Sequence, residues 1–173
     1  MPAVRSGRVG IGGQRIRGGF GSGLRGFTLV EIMIVVVIIG LLAALAIPAY
    51  MRVQRRTQNS TVANDIRVFA QAFDTYATQN GGWPPNVGPG VIPAGMNGDF
   101  KNDVWKATTP IGGQWNWDDA LSGFNFTAGI SITNFTCSDA QLLEIDTLID
   151  DGNLSTGLFQ KVGPARVSYI LQP

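Results

Sequence analysis

No histidine occurs among the 173 residues, and Cys137 is the only cysteine. A histidine-based triad, an internal disulfide and a Cys/His zinc cluster are therefore excluded by inventory. A lone cysteine is ordinarily a small buried apolar residue. Gly-x-Ser-x-Gly and Gly-x-x-x-x-Gly-Lys are both missing, so neither a nucleophile elbow nor a phosphate-binding loop is written in the chain. These absences point away from an enzyme. Acidic residues are missing too, but only from one end: residues 1–26 carry Arg5, Arg8, Arg15, Arg17 and Arg25 and no carboxylate. The formal net charge of +1 hides this split, because the remainder holds eight basic against twelve acidic side chains. From Thr57 onward the count is five against eleven, which argues against a surface built to neutralise nucleic-acid phosphates.

What is present divides the chain into three parts. Residues 1–26 contain nine glycines and only scattered apolar residues, too few to offset the entropy of ordering the backbone. They read as an unfolded basic leader. Residues 27–47 are apolar except for Thr28 and Glu31. As a helix they span roughly 30 Å, the thickness of a hydrocarbon core. A secretory signal would have only about 7–15 apolar residues before a small-residue cleavage site, whereas this run is longer and leads through Pro48 into more helix. Five arginines before the span against Arg52, Arg55 and Arg56 after it favour a cytoplasmic N-terminus and an extracytoplasmic C-terminal part. The domain division read from these shifts is 1–26 leader, 27–48 membrane segment and 49–173 amphipathic helix with a periplasmic globular domain.

From Ala49 to Asn80 the apolar residues Val62, Ile66, Phe69, Phe73 and Tyr76 recur at steps of 4, 3, 4 and 3, the period of one helix face. Asn80-Gly81-Gly82 is a helix stop, and Trp83-Pro84-Pro85 cannot continue a helix. The two segments together form one helix of up to about 80 Å, kinked near Pro48. Four short β-branched or aromatic runs, Gln114–Trp117, Gly129–Phe135, Gly157–Val162 and Arg166–Leu171, read as strands, the last two joined by a turn at Gly163-Pro164. Ser138-Asp139-Ala140-Gln141 has the form of a capping box, opening a helix with Leu142, Ile145, Leu148 and Ile149 that ends before Gly152. Trp105, Trp115 and Trp117 read as core or subunit-contact aromatics. Asp151, Asn153 and Ser155 are spaced like the first ligands of a calcium loop. Thr156 and Val162, however, stand where such a loop wants glycine and glutamate, so a polar turn is expected and no metal or other cofactor is assigned, with calcium left open.

Gly26-Phe27-Thr28-Leu29-Val30-Glu31, followed by the apolar run with Gly40, Pro48 and Tyr50, resembles the N-terminus of type IV pilins and type II secretion pseudopilins. Tyr76 through Pro84 is similar to the helix end of those proteins. The resemblance implies an α+β pilin-like fold, a long N-terminal helix packed on a small antiparallel β-sheet. It implies cleavage by prepilin peptidase between Gly26 and Phe27 and N-methylation of Phe27. It also implies filament assembly through Glu31, Gly40 and Pro48, with Glu31 pairing with the α-amine of a neighbouring subunit. A leader of 26 residues is longer than in the commonest pseudopilins. The function implied is that of a pseudopilin of a type II protein secretion system, polymerising with itself or other pilin-like subunits on an inner-membrane assembly platform. A type IV pilin or minor pilin is the neighbouring reading, and a membrane-anchored binding module or hydrolase the more distant one.

Overall fold

A computed structural model describes residues 26–119 and 124–173. The leader, apart from Gly26, lies outside the described residues. The chain falls into two compact units, one ending at Ala43 and the other running Ala44–Pro173. The first contributes the opening of helix α1, Leu29–Asn80. Its side chains are exposed up to Leu42, which is unusual for a run of Val, Ile and Leu and shows that nothing among the described residues covers them. Among the described residues α1 is the one helix long and apolar enough to cross a membrane.

The second unit is built on the remainder of α1. Burial begins at Asn59 and continues through Val62, Ala63, Ile66, Phe69, Ala70, Ala72 and Phe73, the face expected from the spacing, with Tyr76 half-buried. Gly81, at φ 73°, ends the helix, and its N–H donates to the Ala77 carbonyl at 2.9 Å. Against this face lies a sheet of order β1-β2-β4-β3, antiparallel throughout. The strands are β1 Gln114–Asp119, β2 Ala128–Thr133, β3 Phe159–Gly163 and β4 Arg166–Gln172. Alternation along β1 sends Trp115 and Trp117 to the same side as Phe69 and Phe73. Phe73 stacks on Trp117 with ring centroids 3.9 Å apart, while Phe69 meets Trp105 and Trp115 edge-on at 4.9 and 5.1 Å. All three tryptophans are core residues. The indoles of Trp105 and Trp117 donate to the carbonyls of Val91 and Pro84, which ties the loop between α1 and β1 to the core.

Several boundaries differ from the sequence reading. The second strand stops at Thr133, because Asn134 adopts φ 59° and its N–H donates to the Ala165 carbonyl. The third begins at Phe159, since Gly157 at φ 73° belongs to the preceding loop. A short helix α2, Asn102–Lys106, carries Trp105 and was not legible as a helix. Helix α3 spans Asp139–Ile149 with Ser138 at its N-cap, but no side-chain cap bond forms. Gln141 turns instead to α1, where its Nε2 donates to Asn59 Oδ1 at 2.9 Å. A buried partner across the helix pair has replaced the local reciprocal bond of the capping box. The helical assignment of α1 runs through Pro48 without a break.

The far face of the sheet is polar and nevertheless buried. Asp118 accepts from Arg166 Nη1 at 2.7 and 2.6 Å, from Asn116 Nδ2 at 2.6 Å and from Ser131, whose hydroxyl also lies 2.7 Å from that of Ser168. The guanidinium of Arg166 sits over the ring of Phe124 at 5.1 Å.

Candidate functional site

Gly26 and Phe27 precede the helix and are both exposed, Phe27 to 82%. Thr28 is followed at three residues by Glu31, and the two close a reciprocal capping box. The Thr28 N–H and hydroxyl both donate to Glu31 Oε2 at 2.8 Å, and the Glu31 N–H donates back to Thr28 Oγ1 at 3.2 Å. The carboxylate thus caps its own helix. Both Thr28 bonds fall on Oε2, however, and Oε1 has no partner among the described residues. One oxygen holds the helix start, and the other makes no bond among the described residues. Capping and recognition of a neighbour are therefore not exclusive roles for this residue.

Gly40 lies on the apolar stretch with no described residue within 4 Å of where a Cβ would stand, so the described residues place no demand for glycine there. Any demand comes from a neighbouring helix approaching closely. Pro48 lacks an N–H and so leaves the Ala44 carbonyl without its intrahelical donor. Arg52 Nε donates to the Pro48 carbonyl at 3.3 Å.

The second cluster of interest follows α3. Asp151, Asn153 and Ser155 hydrogen-bond locally within their own loop. Asp151 Oδ1 accepts the Asn153 N–H at 2.8 Å, Asp151 Oδ2 accepts the Thr156 hydroxyl at 2.6 Å, and Asn153 Oδ1 accepts the Ser155 N–H at 3.2 Å. The Thr156 hydroxyl and the Asn153 N–H hold the Asp151 carboxyl below its usual range. What the fold does bring together are Asp146, Asp150 and Asp151, with one oxygen of each within 4.8 Å of the others. Asp150 Oδ2 accepts from the N–H groups of Leu158 and Phe159 and lies where a Cβ on residue 157 would fall, which is why glycine stands there. Asp146 is fully buried and neither of its oxygens has a hydrogen-bond partner. Burial, reinforced by the charges of Asp151 and Asp150 and opposed in part by the backbone N–H groups of Gly152 and Asn153, pushes its carboxyl up to about 6. Sequence reading missed Asp146 and Asp150. The signal available was their spacing of four across the end of α3, which is also the spacing of any solvated helix face.

The geometry is now that of a pilin-like α+β protein, a long helix with an uncovered apolar start and a small antiparallel sheet on its later half. Residues 23–47 match the prokaryotic N-terminal methylation motif. The chain is 41% identical over 80 residues to fimbrial protein EcpC of Eikenella corrodens, an alignment covering 46% of this chain and 52% of that one. It is 36% identical over 83 residues to type IV major pilin protein PilE1 of Neisseria gonorrhoeae, covering 46% and 50%. It is 44% identical over 59 residues to type II secretion system core protein G of Pseudomonas aeruginosa, covering 34% and 42%. The matches thus span about half the length of these curated relatives or less. No solved structure matches. The chain carries a prepilin-type N-terminus and is similar to type IV pilins and to the core pseudopilin of type II secretion.

Proposed function

We propose that this protein is a structural subunit of a helical filament assembled from the inner membrane, a pseudopilin of a type II secretion system. The observation that carries the proposal is the start of α1: an apolar helix that no other described residue covers, preceded by the Gly26-Phe27 junction and bearing one carboxylate whose Oε1 makes no bond among the described residues. In the membrane, lipid covers that helix; in a filament, neighbouring copies or related subunits do. Prepilin peptidase would cut after Gly26, and the resulting methylated amine of Phe27 is the cation that Glu31 Oε1 of an adjacent subunit would accept. A buried ion pair of this kind sets axial register between apolar helices that could otherwise slide. The globular unit stays on the periplasmic side, held by the single span. Support for secretion over a pilus is the lone Cys137, which leaves no C-terminal disulfide to build; the relatives include both kinds. Mass spectrometry of the protein extracted from its native membrane tests the proposal. A chain starting at methylated Phe27 is expected, and an uncut leader overturns it. Loss of secreted enzymes rather than of surface fibres on deletion distinguishes secretion from a pilus.

A second element of the reading concerns a cation. The donor set of Asp146, Asp150 and Asp151 is all hard oxygen, which suits calcium, and buried Asp146 has only the N–H groups of Gly152 and Asn153 to offset part of its desolvation. Calcium held there would neutralise Asp146 and join the end of α3 to the loop leading into β3. Millimolar calcium should raise the melting temperature of the wild type, and Asp146→Asn should abolish the rise.

A further inference from the structure

Arg52, Arg55 and Arg56 stand at spacings of three and four just past the apolar run, on neighbouring positions of one side of α1. Arg52 and Arg56 are exposed; Arg55 is half-buried, with its Nε 3.0 Å from Glu144 Oε2 on α3. With Asn59 and Leu148 they line a surface cavity of about 560 Å³. Glu144 is the one carboxylate among the lining residues, so the cavity keeps a surplus of two positive charges. Leu148, 46% exposed, gives it an apolar wall. Guanidinium groups beside an apolar wall match a phosphodiester with the glycerol and acyl root attached to it.

Depth selects the source of that phosphate. Arg52 to Arg56 lie about 7–14 Å along the helix beyond Ile47, the last residue of the apolar run. The polar headgroup layer extends roughly 5–8 Å past the hydrocarbon on each side, and arginine stems reach back across several ångströms. We propose that Arg52 and Arg56 bind the headgroup of an anionic glycerophospholipid, fixing the depth of the subunit until it is extracted, while the Arg55–Glu144 pair holds the cavity wall. This rests on the reading of residues 27–47 as a membrane span.

The full chain purified in detergent is offered dioleoyl phosphatidylglycerol or dioleoyl phosphatidylcholine, and retained lipid is read by native mass spectrometry. The wild type should retain the anionic lipid in preference. Arg52→Gln with Arg56→Gln should reduce that preference by about thirty-fold, roughly five-fold for each arginine, while Arg52→Lys with Arg56→Lys should keep most of it. Arg55 is left intact so that Glu144 keeps its partner, and an unchanged near-ultraviolet tryptophan signal shows that both variants fold. Equal retention of the two lipids by the wild type overturns the proposal. So does competition by soluble glycerol phosphate as effective as by the lipid, which would mark a free-phosphate site. A double glutamine variant that keeps the lipid but loses crosslinking between copies would assign the arginines to an acidic surface of a second subunit and also overturn it. Alkaline extraction of native membranes tests the span separately. Release of the chain removes both readings, whereas a retained chain without lipid preference removes only the headgroup.

Discussion

Asp146 shows how one side chain is set by its surroundings. Its carboxyl is raised from 3.8 to about 6, so between about pH 4 and pH 6 the folded chain holds a proton that the unfolded chain releases. Stability attributable to this residue therefore falls as pH rises through that window. In the presence of chelator, Asp146→Asn should raise the melting temperature at pH 7.5 by about 2–6 °C and change it little at pH 4.5. A lower melting temperature for the variant at pH 7.5 would show that the buried charge is not a liability. Glu31 poses the complementary problem, a carboxylate with one oxygen committed and one that makes no bond among the described residues. Glu31→Gln keeps shape and one acceptor but loses charge. It should insert normally yet sharply reduce cysteine crosslinking between helices of adjacent subunits. Thr28→Val removes the cap and leaves the charge, which should cost only about 1 kcal/mol of helix stability and leave crosslinking largely intact. If the two variants behave alike, Glu31 acts as a cap and not as a register element.

At the scale of elements, the contact between α1 and α3 is polar at its centre. Asn59 donates to Glu144 at 2.7 Å and accepts from Gln141 at 2.9 Å, and Asn59 and Gln141 are both buried. Asn59→Ala should cost about 1–3 kcal/mol, because buried Gln141 keeps only its longer 3.4 Å bond to Gln58 and Glu144 loses a donor. Adding Gln141→Leu should recover part of the loss, since removing both partners leaves no buried donor unsatisfied. Urea midpoints with unchanged slopes measure this, and no recovery in the double variant would mean that the loss arises elsewhere. The capping box at Ser138 does not close: the Gln141 side chain points to α1, where its Nε2 donates to Asn59, and the Gln141 N–H donates to the Ser138 carbonyl and not to its hydroxyl. Phe73→Ala should be costlier, about 3–5 kcal/mol, because it empties the space stacked on Trp117.

At the scale of the molecule, one helix serves two solvents: the first part of α1 is wholly exposed, and burial starts at Asn59. A fragment beginning at Thr57 keeps every buried residue of the helix and the whole sheet. It should unfold cooperatively with a native tryptophan signal, and a fragment without a transition would show that the sheet needs the preceding segment. The apolar run, the spacing from Val62 to Tyr76, the stop at Asn80-Gly81 and the four strands were legible because each is a local pattern of period or turn chemistry. The Gly26 to Glu31 motif was legible as a string of adjacent residues. The strand order β1-β2-β4-β3 was not, since long-range pairing leaves no local trace, and neither was α2, whose five residues carry too little period. Nor could spacing foresee that Asp146 would be buried beside Asp150 and Asp151, or that Asn59 would claim Gln141. The sequence by itself determined where the chain meets lipid and where it turns. The tertiary structure alone decided which polar groups are left without water, because burial and partnership depend on elements far apart in the chain.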